Sequence, residues 1–363
     1  MAGSPLKQRP IGVVLHDLSG GGSERIALRL AHGWQALGRS VVLLCGDPHG
    51  PLQGLAEGLP LITPERPIPR GLGSRRRLSR WVSMQADERE LGGLFLPGNY
   101  HFPLLDGLRF SIGKPPVVLA KLSNTIARQR QFNRLRPFWR GRMARRSRRA
   151  DAVVAMSPAL AGEARSILGP LPLSVVPEPI IDDDFEPPDG TGPRAGLIAA
   201  GRFAPQKDFG LLVEAVVTLA DPTITLTIAG DGPGLAPLRR RVGKALASQV
   251  RLPGRVQEIA PLLRTARVFV LSSRFEGYPA VLIEALANGC RLIATDCSPA
   301  IREIIGDPAV GEIVPAGEAR ALADAMARQL CLAPPPPEAM ARAIAEHRLG
   351  RAAASYLELF NRP

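Results

Sequence analysis

Val268-Phe269-Val270-Leu271-Ser272-Ser273-Arg274-Phe275-Glu276-Gly277-Tyr278-Pro279-Ala280-Val281-Leu282-Ile283-Glu284 reads as strand, loop and helix in seventeen residues. Four apolar residues without a polar break suit a strand buried on both faces, the mark of a parallel sheet. Gly277 and Pro279 punctuate the loop, and an apolar helical run opens at Ala280. Two glutamates, Glu276 and Glu284, are separated by seven residues across loop and helix. The same strand–loop–helix unit recurs outward in both directions.

In the second half, strands are predicted at Gly196–Ala200, Thr223–Ala229, Val268–Leu271 and Arg291–Thr295. Helices are predicted at Phe209–Ala220, Leu235–Leu246, Ile259–Thr265, Ala280–Ala287 and Ala319–Leu330. In the first half, Ile11–His16, Val41–Cys45, Leu94–Leu96, Val117–Leu119, Ala152–Ala155 and Leu173–Val176 read as strands. Glu24–Ala36 and Pro158–Leu168 read as helices between them. The stretch around Asp182-Asp183-Asp184 and Pro187–Pro193 has no periodicity and reads as a linker. The expected fold is therefore α/β: two facing Rossmann-like domains over 1–181 and 182–345, with a terminal helix in 346–363 returning to the first. In such sheets ligands bind beyond the carboxyl ends of the strands.

Composition narrows the function. The 363 residues carry a net charge of +13, nearly all of it arginine. Residues 1–181 hold +14 and residues 182–363 hold −1. Five arginines fall in Arg70–Arg80, and ten fall in Arg128–Arg149 with no acid among them. Such a tract seeks an anionic partner. No apolar run approaches the ~20 residues of a membrane span, and the polar start lacks a signal-peptide core. Four scattered cysteines and five histidines argue against a disulfide scaffold or a zinc module, which fits a cytoplasmic protein.

Three loops carry candidate chemistry. Leu18–Arg25 follows the first strand, and its glycines, Gly22 among them, let a phosphate approach the backbone and a helix end. Gly201-Arg202-Phe203-Ala204-Pro205-Gln206-Lys207 places two cations where both could reach a diphosphate; solvated surface charges are the blander alternative. The Glu276 loop offers a carboxylate and backbone N–H groups, while Glu284 needs a polar partner in its apolar helix.

These pieces resemble retaining glycosyltransferases of the GT-B fold, specifically glycosyltransferase family 4. Gly20–Arg25, Ala150–Ser157, Gly201–Lys207, Ile228–Pro233 and Glu276–Glu284 match the family's elements in order. The resemblance implies that Arg202 and Lys207 hold the donor diphosphate and stabilise its developing charge. It implies that Glu284 binds ribose hydroxyls and that Glu276 contacts the transferred sugar. The backbone of Gly277, Tyr278, Pro279 and Ala280 would fix sugar or phosphate, and Gly22 would approach the diphosphate. Arg255 and Val256 lie where family members meet the base. The chain departs from the family at Pro177-Glu178-Pro179, where Pro-Asn-Gly is usual, and at Gly289-Cys290-Arg291-Leu292, where Gly-x-Pro-Val is usual.

For the acceptor side, His101 is the first candidate, with His16 and Asp17 competing and Asn124 behind them. Phe132, Leu135, Trp139 and Met143 recur at helical spacing among the arginines, a basic amphipathic face suited to an anionic membrane or a polyprenyl-diphosphate-linked acceptor. An apolar stripe on the domain's own core is the alternative. The expected activity is transfer of a sugar from a nucleoside diphosphate sugar to a glycan or lipid-linked acceptor, with no metal or other cofactor. The rivals are a GT-B epimerase or phosphorylase, and a nucleic-acid-binding protein that would leave the paired glutamates unexplained. No nucleic acid is expected. An oxidoreductase would want G-x-G-x-x-G after the first strand, which is missing.

Overall fold

The computed structural model describes residues 9–19, 21–111, 113–126, 136–188 and 192–362. They form two compact units. One comprises the described residues up to Asp183 together with those from His347 onward; the other is Asp184–Glu346.

The first unit runs β1 (Ile11–Asp17), α1 (Gly22–Ala36), β2 (Val41–Asp47), α2 (Gln53–Ala56), β3 (Leu61–Ile62), α3 (Ser74–Glu88) and β4 (Gly93–Leu96). A 3₁₀ helix (Asn99–Asp106) follows, then β5 (Val117–Lys121), α4 (Arg136–Ser147), β6 (Ala152–Ala155), α5 (Pro158–Leu168) and β7 (Leu173–Val175). The strands pair in parallel in the order β3-β2-β1-β4-β5-β6-β7. Strand side chains alternate between faces. Val13 and Leu15 join a core with α1, while Val14 joins a second core with α3, α4 and the 3₁₀ helix.

The chain returns to this unit as α13 (Leu349–Phe360), whose Tyr356 and Phe360 meet Trp34 and Phe95 edge-on at 5.3–5.9 Å. The Trp34 indole N–H donates to the Ala353 carbonyl at 3.1 Å. The acidic run expected to be linker is ordered in part. Asp182 pairs with Arg29 at 2.8 Å, and Asp183 accepts the Gly350 N–H at the start of α13.

The second unit runs β8 (Leu197–Ala200), α6 (Phe209–Leu219), β9 (Leu226–Ala229), α7 (Leu235–Val242), β10 (Val250–Gly254), α8 (Ala260–Thr265) and β11 (Val268–Leu271). It continues with α9 (Ala280–Ala287), β12 (Arg291–Thr295), α10 (Ile301–Ile304), β13 (Gly311–Val314), α11 (Ala319–Cys331) and α12 (Pro337–Glu346). Its parallel sheet is ordered β10-β9-β8-β11-β12-β13. In both sheets the order reverses beside the first strand, at β1/β4 and at β8/β11, which is where a doubly wound sheet opens its binding crevice.

Some expectations need correction. α7 stops at Val242, not Leu246, because Gly243 turns left-handed at φ 52°. The strand expected from Thr223 begins at Leu226. The arginine-rich segment after Arg70 is largely a helix, α3. Leu78, Val82 and Ala86 face inward at four-residue spacing. Pro137 falls at the second position of α4, where a missing N–H costs no helical bond.

Candidate active site

At the second unit's switch point the loops after β8 and β11 are tied together. The Lys207 Nζ donates to Glu276 Oε1 at 2.6 Å. The Ser273 hydroxyl donates to the same oxygen at 2.7 Å, and the Gln206 amide reaches Oε2 at 3.3 Å. The Arg274 N–H donates to the Gln206 carbonyl, and the Ser272 hydroxyl to the Lys207 carbonyl, both at 2.8 Å. Lys207 and Glu276, 69 positions apart, are thus joined by an ion pair, with four further hydrogen bonds within or between these loops. The two groups that the resemblance assigned to phosphate and to sugar satisfy one another.

Arg202 is different. It is exposed and makes no side-chain bond with any described residue. Its loop is braced by the next one: Phe203 N–H donates to the Asp231 carbonyl at 2.8 Å, and Gly234 N–H to the Phe203 carbonyl at 2.9 Å. Gly230 makes this approach feasible, since a Cβ there would lie 1.9 Å from the Gly201 oxygen. Its N–H in turn donates to the Gly254 carbonyl, which sets the position of exposed Arg255 and half-buried Val256.

The start of α9 offers fewer donors than expected. Pro279 has no N–H, and the Ala280 N–H turns back to the Tyr278 carbonyl at 2.9 Å. Tyr278 is half-buried, and the Gly277 carbonyl accepts from Ser298 Oγ at 2.6 Å. Glu284 lies about one turn into α9 and is half-buried rather than sealed in the apolar helix core.

The first unit's switch point has another character. Asp17 closes β1, and its carboxylate is gripped by Arg70, which also reaches Ser19 Oγ at 3.1 Å and Glu24 Oε1 at 2.9 Å. Burial works to raise the Asp17 carboxyl, but the bonds from Arg70 and Ser19 outweigh it and hold its pKa below the ordinary range. Asp17 is therefore a committed anion rather than a ready base. Tyr100 lies between the rings of His16 and His101, each 5.5 Å away. The guanidinium groups of Arg70 and Arg75 lie over Tyr100 at 4.5 and 4.2 Å.

His101 is fully buried, and neither ring nitrogen has a hydrogen-bond partner among the described residues. Burial, with the charges of His16 and Arg70 adding, pushes its pKa down to about 3. Burial also lowers His16, against the pull of the Pro69 backbone. Both rings are thus neutral near pH 7 and suited to hydrogen bonding a hydroxyl. Asn124 is placed otherwise: its Oδ1 caps the Thr125 N–H at 2.9 Å, a turn-forming role.

Gly22 opens α1, and a Cβ there would meet nothing within 4 Å, so internal packing does not require a glycine at this place. Gly20 lies outside the described residues, as do Phe132 and Leu135 of the basic tract. Of that tract's expected amphipathic face, Met143 is buried and Trp139 packs on the core. Phe138 projects instead.

The departures from the family have a local explanation on one side. Glu178 forms a buried pair with Lys121 at 2.8 Å, joining the ends of β5 and β7. Among the described residues no three His, Cys, Asp or Glu side chains are grouped to hold a metal. Sequence reasoning missed Ser273, Gln206, Arg70, Arg75 and Tyr100. The only signal for them was position, immediately after or across from a strand end.

Residues 194–345 match the family model described as Glycosyl transferases group 1, and residues 20–184 match Glycosyltransferase Family 4. The chain belongs to the group 1 glycosyltransferases. It is similar to the lipopolysaccharide core biosynthesis mannosyltransferase LpsB of Rhizobium meliloti, 32% identical over 200 residues, which are 50% of this chain and 55% of that one. It is 34% identical over 112 residues to the amylovoran biosynthesis glycosyltransferase AmsD of Erwinia amylovora, covering 31% of this chain and 32% of the relative. The matches thus span between about a third and just over half of these relatives. Among solved structures, HepE of Anabaena with UDP and glucose superposes with a TM-score of 0.80 at 18% identity, over 98% of this chain and all of HepE. That likeness establishes the glycosyltransferase fold.

Proposed function

We propose that the protein transfers a sugar from a nucleoside diphosphate sugar to a glycan or lipid-linked acceptor, with retention of configuration, in the assembly of a bacterial surface polysaccharide or lipopolysaccharide. The observation that carries this reading is the Lys207–Glu276 pair at the β8/β11 switch point, with unpaired Arg202 on the same loop. The names of LpsB and AmsD support the product class.

In this reading the donor diphosphate draws Lys207 away from Glu276 and takes Arg202 as a second cation. Glu276, released on one side but still held by Ser273 and Gln206, accepts from a hydroxyl of the sugar. Glu284 takes the ribose hydroxyls, and the loop of Arg255 and Val256 meets the base. As the bond from the anomeric carbon to the diphosphate oxygen breaks, negative charge grows beside the two cations and is stabilised there. The acceptor oxygen bonds to that carbon from the same face, and its proton passes to the leaving phosphate oxygen. The reading assigns the diphosphate charge to side chains and needs no metal. It places the reaction in the cytoplasm, at the inner face of the membrane when the acceptor is a lipid.

A thermal-shift panel of UDP-, GDP- and ADP-sugars tests the donor half, since a ligand of the folded state raises its stability by mass action. One base is expected to shift the melting temperature, and Arg202→Ala and Lys207→Ala each to lower turnover by about 10²–10³-fold. No shift with any sugar nucleotide, or near-normal turnover in both variants, overturns the assignment. Release of nucleoside diphosphate separates transfer from epimerisation.

A further inference from the structure

The first unit carries a groove of about 940 Å³ between α3, the 3₁₀ helix and α4, apart from the residues assigned to the donor. Leu72, Phe138 and Trp139 give it apolar walls, and Arg75, Arg76 and Arg142 line it with charge. Leu72 is fully exposed and Phe138 is 70% exposed. Large apolar side chains flanking a concave space mark a binding surface more often than a solvated one. Among the described residues Asp106 is the groove's one acid, and Arg146 holds it at 2.6 Å, with Arg142 more distant at 3.5 Å. Arg75 and Arg76 form no ion pair with any described residue. The lining therefore has uncompensated positive charge.

The groove shares one residue, Arg75, with the β1/β4 switch point. Arg75 both lines it and stacks on Tyr100, whose ring lies between His16 and His101. A ligand whose charged end sat on Arg75 would reach the sheet's carboxyl edge while its remainder lay in the groove.

We propose that this groove holds the lipid of a phosphorylated lipid acceptor, its chain along Leu72, Phe138 and Trp139 and its phosphates on Arg75, Arg76 and Arg142. The inference rests on the glycosyl-transfer reading and names the acceptor class within it. Guanidinium forks suit phosphate oxygens, and a chain gains affinity with each methylene it buries. The concavity favours a single chain over a bilayer surface, which is too flat to fill it.

Trp139 lines the groove, so its fluorescence reports binding in the intact protein without any donor. Farnesyl diphosphate is expected to change the emission and to bind at least tenfold more tightly than inorganic diphosphate or farnesol, with geranyl diphosphate between. Trp139→Phe should silence the signal. Leu72→Ser and Phe138→Ser, at exposed positions, should each weaken farnesyl diphosphate about fivefold and leave inorganic diphosphate unchanged. Arg75→Gln with Arg76→Gln should weaken both.

Equal affinity for inorganic diphosphate would make this a plain anion site, and equal affinity for farnesol a plain apolar patch; either overturns the proposal. So does adsorption to phosphatidylglycerol vesicles that farnesyl diphosphate does not compete away. A sugar-nucleotide thermal shift in the same preparation separates the two failures. A shift without farnesyl diphosphate binding removes the groove alone, and binding without a shift removes the donor reading.

Discussion

Each sheet carries a lysine–glutamate pair at its carboxyl end. In the first unit Lys121 and Glu178 are 1% and 8% exposed, sealed beneath the ends of β5 and β7. In the second, Lys207 and Glu276 are 18% and 10% exposed, and Lys207 stands on the same loop as unpaired Arg202. The chemistry of the two pairs is the same and their surroundings are not. A sealed pair has no path to a ligand and can only hold strands in place. An open pair keeps its cation charged and positioned while a diphosphate is absent, and can give it up when one arrives. Burial, rather than residue type, separates structure from function here.

The largest expected effect breaks the sealed pair. Glu178→Leu or Lys121→Met alone leaves a buried charge unpaired and should cost about 3–5 kcal/mol of unfolding free energy, while the double variant should recover most of it. Urea denaturation followed by tryptophan fluorescence measures this, because all three tryptophans lie in the first unit. If the single variants unfold like the parent, the pair is not what holds β5 to β7.

Breaking the open pair should act on turnover instead. Lys207→Ala is expected to lower kcat by about 10²–10³-fold, equivalent to about 3–4 kcal/mol of transition-state stabilisation. Its melting temperature should fall far less than that of Glu178→Leu. A reversed pattern, with stability lost and turnover kept, would erase the distinction between the pairs.

Acid should separate the units next. All five histidines lie in the first unit. Burial pushes His101 to about 3 and His347 to about 4, and it lowers His16 as well. The unfolded chain takes up these protons near pH 6.5 and the folded chain only well below. Their stabilisation is therefore whole above pH 6.5 and lost as the pH falls toward 4 and 3, each at up to about 1.4 kcal/mol per pH unit. Denaturation midpoints at pH 7, 6 and 5 should show the tryptophan signal weakening first, and His101→Gln should flatten the slope. A flat profile in the parent would mean that these rings take up protons in the folded state.

The smallest effect is the control. Arg320 and Asp324 pair at 3.0 Å on the solvent-facing side of α11, and Arg320→Ala should change stability by less than about 0.5 kcal/mol.

Much of this was legible in the sequence. β6 and β11 occupy the expected residues because an uninterrupted apolar run suits a buried parallel sheet, and β12 does so around its apolar centre Leu292–Ala294. The glutamate spacing of Glu276 and Glu284 also stood out unaided. α3 did not, because its arginines gave it the look of a charged tract. Its inward face is built partly of serines, with Ser79 bonded to the Leu104 carbonyl and Ser83 to its own helix. The Lys207–Glu276 bond was out of reach for another reason. Nothing in the linear sequence links the two residues, and only the order of strands makes neighbours of loops 69 residues apart. The amphipathic face was assigned to Trp139 and Met143 by spacing. Helical spacing says which residues share a face, but not whether that face meets solvent or core.

α13 gives the first unit a history as well as a shape. Its Tyr356 and Phe360 complete the aromatic cluster around Trp34, on a sheet whose first strand was made more than three hundred residues earlier. During synthesis the first half leaves the ribosome with that face of its sheet only partly covered, by α1, while the second unit, drawn from one continuous stretch, has all its strands before α13 emerges. The half made first is thus finished last, and its exposed apolar face is what a chaperone would have to guard in the meantime.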